Sequence, residues 1–218
     1  SRFGDGEHDA ARARLSAALV LTLTGTPFLY NGEEIGMTDL LLDDVGQFRD
    51  LLGLQLYQLA HAELGLPAEM AVAHAARHGR DKCRTPMQWT HAPHAGFCPP
   101  GVQPWLPVNP NAAHGVNVAD QDTDPASLLN FYRGLLRVRR QTPALLAGVY
   151  VPLHEHAGDY LAFLRQLAGP EASCLVALNM VNKPQELTFE LAAGQVQCLF
   201  SSHERAAGPQ NLRQLRLA

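Results

Sequence analysis

Charge is scarce in this sequence. Of its 218 residues 17% are Asp, Glu, Lys or Arg, and the net charge is −4. The basic residues are scattered, so no stripe exists to track a phosphate backbone or an anionic membrane as a main partner. Long apolar runs are also missing. The longest, from Leu15 to Leu29, is broken by Ser16, Thr22, Thr24 and Gly25 and is too short and too polar to span a bilayer. The four cysteines, Cys83, Cys98, Cys174 and Cys198, form no CxxC pair and show no metal-ligand spacing, which argues against a zinc site. A chain of this length can bury a core without disulfides, so reduced, structural thiols and a cytoplasmic setting are expected. There is no P-loop, no GxGxxG and no GxSxG, and no cofactor or metal is implied. The chain opens on Ser1-Arg2-Phe3-Gly4-Asp5, with neither an initiator Met nor an apolar leader, and a processed or truncated start is expected.

What is present is an ordinary globular composition, 46% hydrophobic, with a change of texture along its length. Asp9 can cap a helix running from Ala10 to about Thr24, with Gly25 as its stop. The short apolar run Thr26-Pro27-Phe28-Leu29-Tyr30, closed by Asn31-Gly32, predicts a buried strand. Helix, buried strand and loop in that order suggest an α/β protein with parallel strands. From Asp43 to His78 the pattern is helical, interrupted at Gly65-Leu66-Pro67. Residues 79–125 carry eight prolines, which leaves little room for regular structure and marks a functional loop region. Asp124-Pro125 predicts the start of a second helix with Leu128, Leu129, Tyr132, Leu135 and Leu136 on its apolar face. Arg137, Arg139 and Arg140 lie where the helix dipole favours cations, and Thr142-Pro143 is the expected end. Beyond residue 145 short β-rich runs follow: Gly148 to Leu153, Tyr160 to Leu164, Cys174 to Leu178, Glu186 to Leu191 and Gln195 to Phe200. The turns between them include Ala168-Gly169-Pro170, and together they predict an antiparallel sheet module.

Few residues offer chemistry. Paired carboxylates are the tools of glycoside hydrolysis, which draws attention to Glu33-Glu34. Neighbours on an extended backbone point to opposite sides, so the two are expected to divide between an active face and a structural ion pair. Glu7-His8-Asp9 is explained by Asp9 as a helix cap. His154 and His156 would share a strand face, yet no third metal ligand is near them. There remains Arg84-Thr85-Pro86-Met87-Gln88-Trp89, followed by Ala95-Gly96-Phe97 and Pro104-Trp105-Leu106-Pro107-Val108-Asn109-Pro110. Arg supplies forked donors for carboxylates or sugar oxygens, and Trp an apolar plate for a sugar face. A loop packed by its own aromatics, with Arg84 bridging the scaffold, explains the same residues equally well.

That succession resembles the α-glucosidase and oligo-1,6-glucosidase branch of glycoside hydrolase family 13, the α-amylase superfamily. Gly25 to Met37 is similar to the family's segment around the eighth barrel strand, and Asp124-Pro125 through Ser127 to Arg133 to a further family segment. The resemblance implies a fold class of α/β followed by all-β, with residues 1–144 as the last portion of a (β/α)₈ TIM barrel. Residues 145–218 would form a C-terminal β-sandwich-like domain, expected to lack its last strand. A whole barrel takes about 250 residues. The nucleophilic Asp and acid/base Glu of the family lie on earlier strands, and its third carboxylate precedes a match like Ser1 to Gly4. The resemblance therefore implies no catalytic residue in this chain, and Glu7-His8-Asp9 is no substitute for one. Arg84 is carried over as a substrate contact, with Glu33 and Glu34 as candidates on the active-face loop. The expected partners are a disaccharide or short oligosaccharide and the N-terminal barrel portion of the same protein. The parent would be a retaining α-glucosidase. Trehalose synthase, sucrose isomerase and trehalose-6-phosphate hydrolase share the pattern, and a non-catalytic amylase-like scaffold or a free-standing carbohydrate-binding β module are the other readings.

Overall fold

The computed structural model describes residues 6–168, 173–203, 205 and 208–217. The Ser1 to Gly4 match and the Gly169-Pro170 turn lie outside the described residues. Helices α1 (Asp9–Thr22), α2 (Leu51–Gln58), α3 (Ala68–His78), α4 (Val118–Thr123), α5 (Leu128–Gln141) and α6 (Pro143–Ala147) come first. Strands β1 (Val149–Leu153), β2 (Tyr160–Gln166), β3 (Ser173–Asn179), β4 (Gln185–Leu187), β5 (Gln195–Gln197), β6 (Pro209–Asn211) and β7 (Leu215–Leu217) follow. The change from helix to strand falls where the sequence texture changes. Contacts gather the chain into two units, residues 29–129 and residues 6–28 with 130–217. This grouping differs from a division at 144/145, which rests on family architecture rather than on contacts.

In the unit of residues 29–129, α2 and α3 form a hairpin reversed at Leu64-Gly65-Leu66-Pro67, with a π-type turn over Leu59–Glu63 before it. The helices cross at two glycines. A Cβ on Gly79 would stand 3.2 Å from the Gly53 Cα and 2.8 Å from the Ala75 carbonyl, so only glycine allows the approach. Ala75 and Ala76 then pack with Leu42, Phe48 and Leu106 in one core cluster, while Ile35, Met87 and Leu129 form another. The proline-rich stretch forms only short 3₁₀ turns at Asp81–Cys83, Pro93–Gly96 and Pro110–His114 before α4, as its composition predicts.

In the other unit an antiparallel sheet of order β1-β2-β3 is covered on both faces. Phe163 pairs with Val176 and Leu161 with Leu178 across the ladder. That face packs on Leu145 and on Leu15, Ala18 and Leu19 of α1. The alternate positions, Ala162, Leu175 and Ala177, face Leu187, Phe189, Leu212, Leu215 and Leu217 around the β4–β7 and β5–β6 pairs. Period-2 alternation therefore sorts one strand's residues into two cores. β6 and β7 are strands that the sequence pattern did not suggest, because three residues are too few to show a period.

Two buried arginines close α1. Arg165 on β2 donates from Nη1 to the Thr22 carbonyl at 2.7 Å and from Nη2 to the Gly148 carbonyl at 2.8 Å. Arg139 on α5 donates to the carbonyls of Leu21, Leu23 and Gly25. These carbonyls belong to the helix C-terminus and the turn beyond it, where cations are favoured. With its terminal carbonyls taken by guanidinium groups, α1 stops at Thr22 rather than running on to Thr24. Arg139 is thus a buried cap for another helix, not a surface cation on its own. Burial, with Arg139 beside it, lowers the pKa of Arg165.

Three further expectations are corrected. Thr26 to Tyr30 is not a strand, and Phe28 is 87% exposed. A strand exists only through ladder partners, and the described residues form antiparallel pairs elsewhere but none here. Asp124 does not cap α5 directly. Its carboxylate accepts from the Ala126 amide at 2.8 Å in a turn that delays the helix to Leu128. Asp9 is the first helical residue, with His8 in the cap position and the Asp9 carboxylate accepting from the Gly6 amide.

Replacing Arg165 by Met would leave the Thr22 and Gly148 carbonyls buried without donors. Urea unfolding of Arg165→Met should show a loss of about 2–4 kcal/mol. An unchanged midpoint would mean that water reaches both carbonyls.

Candidate functional site

The Arg84 to Trp89 run is positioned by its neighbours at both ends and in the middle. Arg84 follows the 3₁₀ turn Asp81–Cys83, and its amide donates to the Asp81 carbonyl at 2.9 Å. Its carbonyl accepts the Trp105 indole N–H at 2.9 Å. Thr85, Pro86 and Met87 are buried, and Met87 packs with Ile35 and Leu129. Gln88 is fully buried: its Nε2 donates to Asn111 Oδ1 at 2.9 Å and to the Val116 carbonyl, while its Oε1 has no hydrogen-bond partner among the described residues. The carbonyls of Gln88 and Trp89 accept the Val118 and Ala119 amides at the start of α4. Thr38 accepts from the Asn109 and Asn111 side chains, which fastens the Pro104 to Pro110 stretch to the loop after Glu33–Ile35. Trp89 and Trp105 remain about half exposed, and Phe97 meets Trp105 edge-on at 5.0 Å.

A carboxylate that sequence reasoning missed sits under Arg84. Asp50, its side chain 3% exposed, accepts from Arg80 Nη2 at 2.9 Å and Arg80 Nε at 3.2 Å. The Arg80 amide donates to it as well, and Arg84 Nη1 stands 3.6 Å from its Oδ1. Asp81 reciprocates, accepting from the backbone amides of Arg49 and Asp50. The only trace in the sequence is a repeated dipeptide, Arg49-Asp50 and Arg80-Asp81, each beside a helix end. Hydrogen bonding to Arg80 outweighs burial and lowers the pKa of Asp50; the same bond raises that of Arg80.

Glu33 and Glu34 do not lie on an extended backbone. They occupy a 3₁₀ turn, Glu33–Ile35, between Gly32 and Gly36, both in the left-handed region. Each carboxylate folds back on the loop: Glu33 Oε2 accepts the Tyr30 amide at 3.1 Å and Glu34 Oε2 the Gly32 amide at 2.9 Å. They hold the turn in shape, and through Ile35 that turn shares a core with Met87 of the arginine loop. His154 and His156 do not share a strand face, because β1 ends at Leu153 and His154 has a φ of 51°. The His154 ring stacks on Phe189. Among the described residues no three His, Cys, Asp or Glu side chains are placed to hold a metal ion, and the four cysteines are unpaired.

The lowered Asp50 pKa sets a sign for acid stability. As pH falls, the unfolded chain takes up this proton before the folded one does, so folding is favoured fully above the unfolded carboxylate value of about 3.9. The contribution is lost as pH falls through the lower folded value. The stability difference between wild type and Asp50→Asn, from denaturant titrations, should be constant from about pH 5 to 7 and shrink below about pH 4. A pH-independent difference would show that the carboxylate's charge contributes nothing.

Residues 1–148 match the family model described as "Alpha amylase, catalytic domain". The oligo-1,6-glucosidase of Halalkalibacterium halodurans is 38% identical over 184 residues, 84% of this chain and 32% of the relative. The alpha-glucosidase of Pediococcus pentosaceus is 33% identical over 213 residues, covering 86% of this chain and 38% of the relative. Among solved structures, the trehalulose synthase of Pseudomonas mesoacidophila superposes with a TM-score of 0.82 at 33% identity, over 99% of this chain and 38% of that one. The chain thus spans about a third of the length of the relatives it matches. No helix among the described residues is long and apolar enough to cross a membrane. With two-thirds of its residues inside the catalytic-domain model, the chain belongs to the α-amylase family of glycosidases.

Proposed function

We propose that the protein to which this chain belongs is a retaining α-glucosidase that removes terminal α-linked glucose from short oligosaccharides. In this reading residues 1–144 complete a (β/α)₈ barrel and residues 145–218 form a β-sandwich-like domain beside it. The chemistry is performed by two carboxylates on an N-terminal barrel portion, one attacking the sugar and one protonating the leaving oxygen. This chain contributes the wall of the pocket. The observation that carries the reading is Arg84, half exposed beside the buried Asp50 carboxylate that Arg80 also holds, with the half-exposed rings of Trp89 and Trp105 in the same loop system. A fixed guanidinium gives forked donors to sugar hydroxyls, and an indole face covers the apolar face of a pyranose. Glu33 and Glu34, both turned to backbone amides, act here as loop braces. The four unpaired thiols fit a cytoplasmic setting.

A second reading, an isomerase-type transglycosylase, is favoured by the likeness to a trehalulose synthase. The two differ in what accepts the glucosyl group, water or a sugar hydroxyl.

The purified 218-residue chain should release no nitrophenol from nitrophenyl α-glucoside, and the full-length protein should release it readily. Turnover by the isolated chain would overturn the division of labour proposed here. Supplying sucrose to the full-length protein and resolving the products separates hydrolysis, which gives free glucose, from isomerisation, which gives a new disaccharide.

A further inference from the structure

We propose that Asp50 is the positioning residue for Arg84, acting on substrate only through that guanidinium. The inference rests on the pocket role proposed above for Arg84. The Asp50 side chain is only 3% accessible, too little to meet a sugar directly. Its two oxygens are nonetheless held from one side by the Arg80 fork, through Nη2 to Oδ1 and Nε to Oδ2, which stops the carboxylate from rotating. The Asp50 amide is held in turn by Asp81, in bonds of 2.9 and 3.1 Å. A carboxylate fixed so completely presents Oδ1 in one place, and Arg84 Nη1 lies 3.6 Å from it.

Arg84 needs such a fixture. Its side chain is 47% exposed, and an exposed arginine samples many rotamers. Two points define it here. The Trp105 indole N–H holds the Arg84 carbonyl at 2.9 Å, which sets where the side chain starts, and Asp50 sets where it ends. Arg80 plays a different part in this arrangement: two of its N–H groups, on Nε and Nη2, form the fork that fixes Asp50. The guanidinium of Arg84, touching Asp50 through one nitrogen, has its remaining N–H groups available for a ligand.

The test is a double-mutant cycle in the full-length protein with nitrophenyl α-glucoside, measuring kcat and KM for wild type, Asp50→Asn, Arg84→Ala and the double variant. Asp50→Asn should raise KM at least about tenfold with kcat little changed, because a misplaced binding group loses uniform binding. In the Arg84→Ala background the same substitution should raise KM no further. A merely structural role would instead lower kcat through loss of folded enzyme at unchanged KM. That result, or an equal KM rise in both backgrounds, overturns the inference. Should Asp50→Asn fail to fold, Asp50→Glu replaces it, keeping the charge while displacing it by one methylene. It should give a smaller KM rise that again vanishes with Arg84→Ala, and a rise that persists overturns the inference. An inactive wild-type full-length protein overturns the α-glucosidase reading itself, and this inference with it.

Discussion

The fork of Arg80 on the buried Asp50 carboxylate is the constraint from which the arginine loop takes its shape. A carboxylate withdrawn from water is tolerated only when its lone pairs are met, and here they are met by a guanidinium and a backbone amide. Asp81 repeats the solution one residue after Arg80 by accepting the amides of Arg49 and Asp50. The two acids thereby tie the start of α2 to the turn after α3, across a hairpin already drawn close at Gly53 and Gly79. Arg84 follows directly from that turn. Its backbone is set by the Asp81 carbonyl and its charge by Asp50.

The loop beyond Arg84 illustrates how irregular backbone can be rigid. Proline removes donors and fixes φ, and the remaining polar groups find side chains rather than ladders. Gln88, fully buried, bridges to Asn111 and Val116, and the Asn109 and Asn111 amides reach Thr38. Such amide bridges leave the aromatic rings free of structural duty on one face, and Trp89 and Trp105 stay half exposed. These half-exposed tryptophans and the half-exposed Arg84 are the groups on which the proposed pocket wall rests.

In the unit built on the three-stranded sheet, charge is again used inside, here against backbone carbonyls. Arg139 and Arg165 are spent on the carbonyls at and beyond the end of α1 and on Gly148. A helix C-terminus carries partial negative charge, so it can satisfy a buried guanidinium that would otherwise need a carboxylate. Alternation in β2 puts Phe163 and Arg165 on one face, and the run expected from the sequence, Tyr160 to Leu164, stops short of Arg165. Its burial was not legible, because an arginine on a strand is ordinarily read as facing water.

Local chemistry in the chain was enough to recover the helices on either side of Gly65-Leu66-Pro67, though not their start at Leu51 rather than Asp43, and also the irregular middle, the helix around Tyr132, the first three strands and the family, since each depends on spacing, turn residues or a motif within a few positions. It misled wherever a neighbour far along the chain decides the outcome. Thr26 to Tyr30 has the composition of a strand, but hydrogen bonding requires a partner strand, and the described residues provide none. Glu33 and Glu34 were legible as acids but not as braces, because their orientation follows from two left-handed glycines and the amides these expose. Asp50, thirty-four positions before Arg84 and unremarkable among its neighbours, became part of the site only when folding brought two Arg-Asp pairs together. Residue types and short-range pattern carry propensity and identity, whereas the pairing of buried charges depends on distances that only tertiary packing sets.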